Sequence, residues 1–257
     1  MIGNSGHEES VKFGIVGAIT HPQIDYSCVN YSKTPWANEP TQMISYVSCH
    51  DDMCLADRIQ VTLSAKCAKA KNGAKFACSA NFVDSVNSAE QLRLQKLAET
   101  IVLTSQGIPL LWCGDEIFRN KKGVRNSYNS SDFVNAIPWA NKSKYNDLFR
   151  YILHLINIRR EHKAFHMGSS ELVRKNLEFL STPKNVIAFK LNGAAVGDTW
   201  STIIVAFNSK TTSANVQVPL DSYTVICQNG QIDANGLSNF IGKSLSIPAQ
   251  SAVIMHN

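Results

Sequence analysis

Two short apolar runs, Met43–Ser48 and Ile108–Cys113, each stop at a cluster of acidic residues, and helix-period sequence follows before the chain changes character near residue 165. This repeated order of strand, polar group and helix constrains the fold most, because a helix between two strands returns the chain to run parallel to the first. The first run is rich in β-formers, reads as a buried strand and ends at His50-Asp51-Asp52. Ser88-Ala89-Glu90-Gln91 has the form of a capping box, in which Ser88 would bond the Gln91 amide while the Gln91 side chain reaches back. The helix it opens runs to about Gln106, with Leu94, Leu97, Ala98 and Ile101 on one face, and Gly107 stops it. The second apolar run ends at Gly114-Asp115-Glu116. After an irregular stretch, an amphipathic helix from about Tyr145 to Glu161 should bury Leu148, Ile152, Leu155 and Ile156. These are two βα units of a parallel α/β architecture.

Beyond residue 165 the pattern alternates and is punctuated by Asn, Gly, Ser and Pro. Strands are expected near 177–181, 186–191, 202–208, 214–218, 223–228, 244–247 and 251–255, with a turn at Gln228-Asn229-Gly230-Gln231, where Asn and Gly both tolerate positive φ. Short strands with regular turns predict an antiparallel β-sandwich. The expected domains are therefore 1–165, α/β, and 166–257, all-β. No internal repeat or low-complexity segment is visible.

Composition excludes several function classes. The chain has 257 residues, 44% hydrophobic and 18% charged, enough to bury a core. A net charge of +5 does not make a nucleic-acid protein here: Lys and Arg are dispersed, and the densest knot, Arg119-Asn120-Lys121-Lys122, is short. No apolar run is long enough for a transmembrane helix. The seven cysteines form no C-x-x-C and lie mostly in apolar or helical stretches, so buried free thiols are expected, favouring a reducing, cytoplasmic setting. The start of the chain resembles no signal peptide. The histidines show no ligand spacing for a transition metal, and no 12-residue calcium loop is present, although surface Asp and Asn side chains leave calcium binding open. Neither phosphate-loop nor dinucleotide glycine motifs occur. No cofactor is expected.

The most informative residues are Tyr46-Val47-Ser48-Cys49-His50-Asp51-Asp52. At the C-terminal end of a parallel strand a His-Asp pair can face a substrate, although taken alone such a dipeptide reads more readily as a solvated strand end. Aromatic rings suit the flat apolar faces of sugars. Trp36, Tyr128 and Trp139 lie in loops and Trp200 in the second region; simple packing serves each of them as well as sugar stacking.

Taken in order, three segments carry a resemblance. Asn30-Tyr31-Ser32-Lys33-Thr34-Pro35-Trp36 followed by Tyr46 to Asp52 is similar to the last conserved catalytic region of the type I pullulanases, α-amylase-superfamily glycoside hydrolases, where a strand ends in Y-V-S-x-H-D. Leu103 to Pro109 with Gly114-Asp115-Glu116 resembles the family's eighth-strand motif, and Asn126-Ser127-Tyr128-Asn129-Ser130-Ser131-Asp132 resembles its N-S-Y-N-x-P-D loop, with Trp139 where that loop ends. The resemblance covers roughly residues 10–165.

It implies a retaining glycosidase that cleaves α-1,6 linkages in pullulan, glycogen or starch through a nucleophile and an acid/base carboxyl. Asp51 matches an acidic residue that holds sugar hydroxyls as charge develops, and His50 matches a neighbouring hydroxyl-binding histidine; neither is the nucleophile. Asn126, Tyr128 and Asp132 are the implied substrate-binding residues, and the match makes Asp115-Glu116 a structural element rather than a carboxylate pair. The family's Arg-x-Asp nucleophile motif is not found upstream of Tyr46, where Glu8, Glu9, Asp25 and Glu39 are the only acids. A complete barrel needs about 250 residues. The expected fold is therefore the last βα units of a (β/α)8 barrel followed by the sandwich. Such a chain should be inactive alone and stabilised by self-association or by the missing N-terminal portion. An isoamylase or branching enzyme, and a non-catalytic glucan-binding or structural remnant, are the rival readings. Three positions depart from the pattern: Asp52 stands in place of Asn, Ser131 of Pro, and Pro138 of an acid. If buried, Asp52 beside Asp51 should raise a carboxyl pKa.

Overall fold

The computed structural model describes residues 5–70 and 88–257, with the side chains of residues 65–70 and 88 outside that description. The expected Ser88 cap therefore lies outside the described side chains, and Gln91 donates instead to the Gln60 amide oxygen.

The chain opens on helix α1 (Glu8–Ile15), with two acids in its first turn favouring the positive end of the helix dipole. The α/β region continues with strand β1 (Ile44–Ser45), helices α2 (Leu55–Ala70) and α3 (Ser88–Thr104), strand β2 (Ile108–Pro109), short helices α4 (Asp132–Asn135) and α5 (Asn141–Lys144), and helix α6 (Asn146–Glu161). α3 buries Leu94, Leu97, Ala98 and Val102, while α6 buries Leu148, Ile152, Leu155 and Ile158. These are the stripes the periodicity predicted, displaced by a residue or two. β1 and β2 pair in parallel, Ile44 opposite Ile108 and Ser45 opposite Pro109.

The first strand differs from expectation in its burial. Within Met43–Ser48 only Ser45 and Ser48 are buried, and Ile44 and Tyr46 point outward. The parallel pair forms a two-stranded sheet of its own, so the apolar side chains on its outer side have no layer over them among the described residues. A complete barrel is not what these residues form.

Helix α7 (Ser170–Asn176) leads into β3 (Leu177–Phe179), β4 (Val186–Asn192), β5 (Thr202–Asn208), β6 (Ala214–Gln228), β7 (Gln231–Ile232), β8 (Ser238–Ile247) and β9 (Ser251–His256). All pair antiparallel in one seven-stranded sheet, in the order β3-β4-β5-β9-β6-β7 with β8 added on β6. The expected two-sheet sandwich is thus a single hydrogen-bonded sheet. β6 shifts register between Gln217 and Asp221, where Pro219 removes a donor, so the two strands expected at 214–218 and 223–228 are one bent strand.

Both faces of the central strands are covered, which explains their nearly continuous apolar sequence. Val186, Ala188, Ile204, Ala206, Val253 and Met255 meet Val216, Val218, Tyr223 and Leu245 of the β6–β8 ribbon. On the other face Ile187, Phe189, Val205 and Ile254 join Phe13, Leu97, Leu148 and Ile152 in one cluster. A shared core therefore runs across residue 165. Of the five described cysteines, all free, only Cys54 and Cys227 are buried, so the expectation of buried thiols fails at the loop positions Cys28, Cys49 and Cys113. No described helix is long and apolar enough to cross a membrane.

Candidate active site

The site grows from the C-terminal ends of β1 and β2. Beyond β1, Ser48 turns inward and donates to the carboxylate of buried Asp115. Asp115 opens a tight turn (Asp115–Ile117) that starts from Gly114 at φ 101. A side chain at 114 would sit strained in this left-handed conformation and 2.6 Å from Arg119 Cδ. The neighbouring Glu116 accepts the Gly114 amide at 2.9 Å. Both acids are thus occupied in shaping the turn.

Burial pushes the Asp115 carboxyl up to about 6, with Glu116 adding to the effect and the Ser48 bond opposing it. Glu99 on α3 is wholly buried, and burial followed by the charges of Asp115 and Glu116 drives its pKa well above the ordinary value. Gln95, one turn earlier, donates to the Asp115 carbonyl at 3.1 Å.

His50 and Asp51 stand in the turn after Ser48, their side chains 85% and 80% exposed, with His50 Nε2 3.7 Å from Asp51 Oδ2. They are presented to solvent side by side. Asp52 behaves unlike the expected second buried acid. Arg125 and Arg58 bond its carboxylate, and the Arg125 hydrogen bond, with help from the Met53 amide, holds its pKa down at about 2. The condition for a raised carboxyl, burial of both acids, is not met, and at Asp52 the two guanidiniums act in the opposite direction.

The segment carrying the remaining candidates is fixed from below. Asp57 on α2 is buried and accepts the amides of Lys121 at 2.6 Å and Gly123 at 3.0 Å. Asn135 on α4 donates to the carbonyls of Ser127 at 2.6 Å and Ser130 at 3.0 Å, closing the loop from Asn126 to Asp132. This leaves Asn126, Tyr128 and Asp132 exposed, with the Tyr128 ring 83% open. Among the described residues no hydrogen bond joins these three to His50 or Asp51; the link runs through Asp52 and Arg125. Phe133 and Trp139 are further exposed aromatics of this segment. Trp200 is different: it is stacked between His162 and His256, which occupies both of its faces.

The residue-type pattern flagged His50, Asp51 and the 126–132 loop, but missed Asp57, Arg58, Lys121, Arg125 and Phe133. Chemically, the arrangement offers an acceptor and an imidazole for hydroxyl groups, with the exposed aromatics Tyr128, Phe133 and Trp139 on the segment that Arg125 ties to Asp52. Asp52 is locked in ion pairs and Asp115 is buried and bonded, so neither is free to attack a sugar carbon. No group of three or more His, Cys, Asp or Glu side chains among the described residues is arranged to hold a metal ion.

Residues 173–231 match the family described as pullulanase, all-beta domain. The pullulanase of Bacillus subtilis strain 168 is 29% identical over 227 residues, covering 88% of this chain and 28% of that protein. The solved pullulanase of Bacillus acidopullulyticus superimposes with a TM-score of 0.82 at 30% identity, over 100% of this chain and 27% of its own. That of Paenibacillus barengoltzii, solved with maltohexaose and α-cyclodextrin, gives a TM-score of 0.77 at 28% identity, over 99% of this chain and 34% of its own. Isoamylases are also among the relatives. The chain spans about a third or less of the length of these three proteins. It is related in sequence and fold to the pullulanases, and its residues 173–231 match their all-β domain.

Proposed function

We propose that this chain forms the sugar-holding part of a pullulanase-type site for α-1,6-linked glucans, with residues 1–165 corresponding to the last βα units of a barrel and 166–257 to a C-terminal β-domain. Asp51 and His50 bind hydroxyls of the glucose unit at the reacting bond. Asn126 and Asp132 flank it, and Tyr128 packs on a ring face. The observation that carries this reading is the paired presentation of His50 and Asp51 at the end of a parallel strand, beside the Asn126–Asp132 loop, in a chain that superimposes on pullulanases.

Bond cleavage by retention requires a nucleophile and an acid/base carboxyl about 5–5.5 Å apart. With Asp52 ion-paired and Asp115 buried, the strand ends supply Asp51 as the open carboxylate. The chain alone is therefore proposed to bind α-glucan without cleaving it. The test is release of reducing ends from pullulan by the purified chain. The reading expects none above the blank, and release at a rate proportional to chain concentration overturns it.

A further inference from the structure

Asp52, where the resemblance leads one to expect Asn, adopts φ 60, in the left-handed region that Asn and Asp enter more readily than other residues with a side chain. Its carboxylate is gripped from two directions. Arg58 Nη2 of α2 donates to Oδ2 at 2.9 Å, while Arg125 donates through Nε to Oδ1 at 2.9 Å and through Nη2 to Oδ2 at 3.3 Å. The Met53 amide adds a bond to Oδ1 at 2.8 Å. Arg125 immediately precedes Asn126. On the other side of the same turn, Lys121 Nζ donates to the His50 carbonyl at 3.3 Å, and the Lys121 amide is itself fixed on Asp57.

We propose that Asp52, Arg58 and Arg125 are positioning residues, an ionic clamp that fixes the His50–Asp51 turn relative to the Asn126–Asp132 loop. The proposal rests on the reading of those two segments as sugar-facing, and adds what holds them at one spacing. A lone exposed ion pair contributes little to stability. This one differs because a two-point guanidinium contact and a second arginine share a single carboxylate, so ordering the acid serves both pairs. The clamp does not touch substrate in this account. It acts through Asp51 and through the loop that begins at Asn126. Since the Arg125 and Arg58 side chains are 72% and 55% exposed, salt should weaken it.

The experiment is backbone 15N relaxation on the full chain, wild type against Arg125→Ala, Asp52→Asn and Arg125→Lys, with a separate maltotriose titration of each. In Arg125→Ala the order parameters of His50, Asp51 and Asn126 should fall from about 0.85 toward about 0.6 or below. Arg125→Lys should recover part of that order, and about 1 M salt, where the screening length is about 3 Å, should loosen wild type in the same residues. Maltotriose should bind Arg125→Ala about threefold more weakly or worse, with the far-UV spectrum and melting temperature of wild type. Unchanged order at His50 and Asp51 in both Arg125→Ala and Asp52→Asn overturns the clamp, as does lost order with maltotriose binding at wild-type strength. Lost order in variants of a chain whose wild type shows no maltotriose response leaves the clamp standing and overturns the sugar reading instead.

Discussion

The Ser48 hydroxyl donates to the Asp115 carboxylate, tying the polar end of β1 to the polar end of β2 across 67 residues of chain. The bond is buried, and it links a folded-state requirement to pH. Asp115 sits at about 6 and Glu99 is shifted well upward, both chiefly through burial. Groups with raised folded-state pKa values favour the protonated native state. Their contribution is present below the ordinary carboxylate range and is lost as pH rises through the folded values.

Asp115→Asn should remove this dependence at residue 115. Between about pH 4 and pH 7, wild type should lose stability relative to the variant by about 2 kcal/mol, the larger part of what Asp115's displacement from 3.8 to about 6 amounts to. Urea unfolding of both proteins across that range checks it, and a difference that is flat or grows with the opposite sign contradicts it.

Arg159 makes a prediction about the join between the two regions. Its guanidinium is buried and donates to the carbonyls of Leu103, Ser105, Phe165 and Gly107 at 2.5 to 3.0 Å, and burial lowers its pKa to about 10. Arg159→Met leaves three carbonyls between the end of α3 and the start of β2, and that of Phe165 beyond α6, without their donor. The expected loss is about 3 kcal/mol or more by chemical denaturation, because buried acceptors deprived of a charged donor bear the desolvation cost. A loss below about 1 kcal/mol would show that water replaces the guanidinium freely.

Asp198 plays a similar part nearer the C-terminus. It bonds His162 Nδ1 at 2.7 Å and accepts the amides of Ala164 at 2.9 Å and Trp200 at 3.0 Å. Burial pushes its pKa up, but these bonds outweigh that and lower it. A depressed carboxylate stabilises above its unfolded pKa and loses its contribution as pH falls. Asp198→Ala should therefore cost about 2 kcal/mol or more near neutrality, and the gap from wild type should narrow below about pH 4. A gap that widens in acid contradicts the assignment.

Ile44, Tyr46, Ile108 and Leu110 are exposed apolar residues along the β1–β2 pair. Light scattering is expected to show self-association or a bound polypeptide, and hydrogen exchange should be faster at β1 and β2 than at β4, β5 and β9. A monomer with uniformly slow exchange would mean that this pair is closed off in solution.

Much of this architecture was legible because its signals are local. α3, α6 and β5 follow from periodicity and from Gly107, and β5 occupies 202–208 as expected. α1 escaped because eight residues without a side-chain cap give neither a cap signal nor a full amphipathic repeat. β6 read as two strands because Pro219 interrupts the alternation at its bend. At the site, His50 and Asp51 stood out through the motif and the strand that precedes them. The partners that set their surroundings did not: Arg125 meets Asp52 across 73 residues and Lys121 meets Asp57 across 64, and no short pattern records either contact.

The central claim is that His50 and Asp51 face a sugar, and the most direct measurement is titration of the isotopically labelled chain with maltotriose, followed by amide and imidazole chemical shifts. Saturable shifts should concentrate at His50, Asp51 and the Asn126–Asp132 loop, and Asp51→Ala should abolish them while leaving the rest of the spectrum in place. No saturable shift at His50 or Asp51, or shifts that survive Asp51→Ala unchanged, would contradict the account.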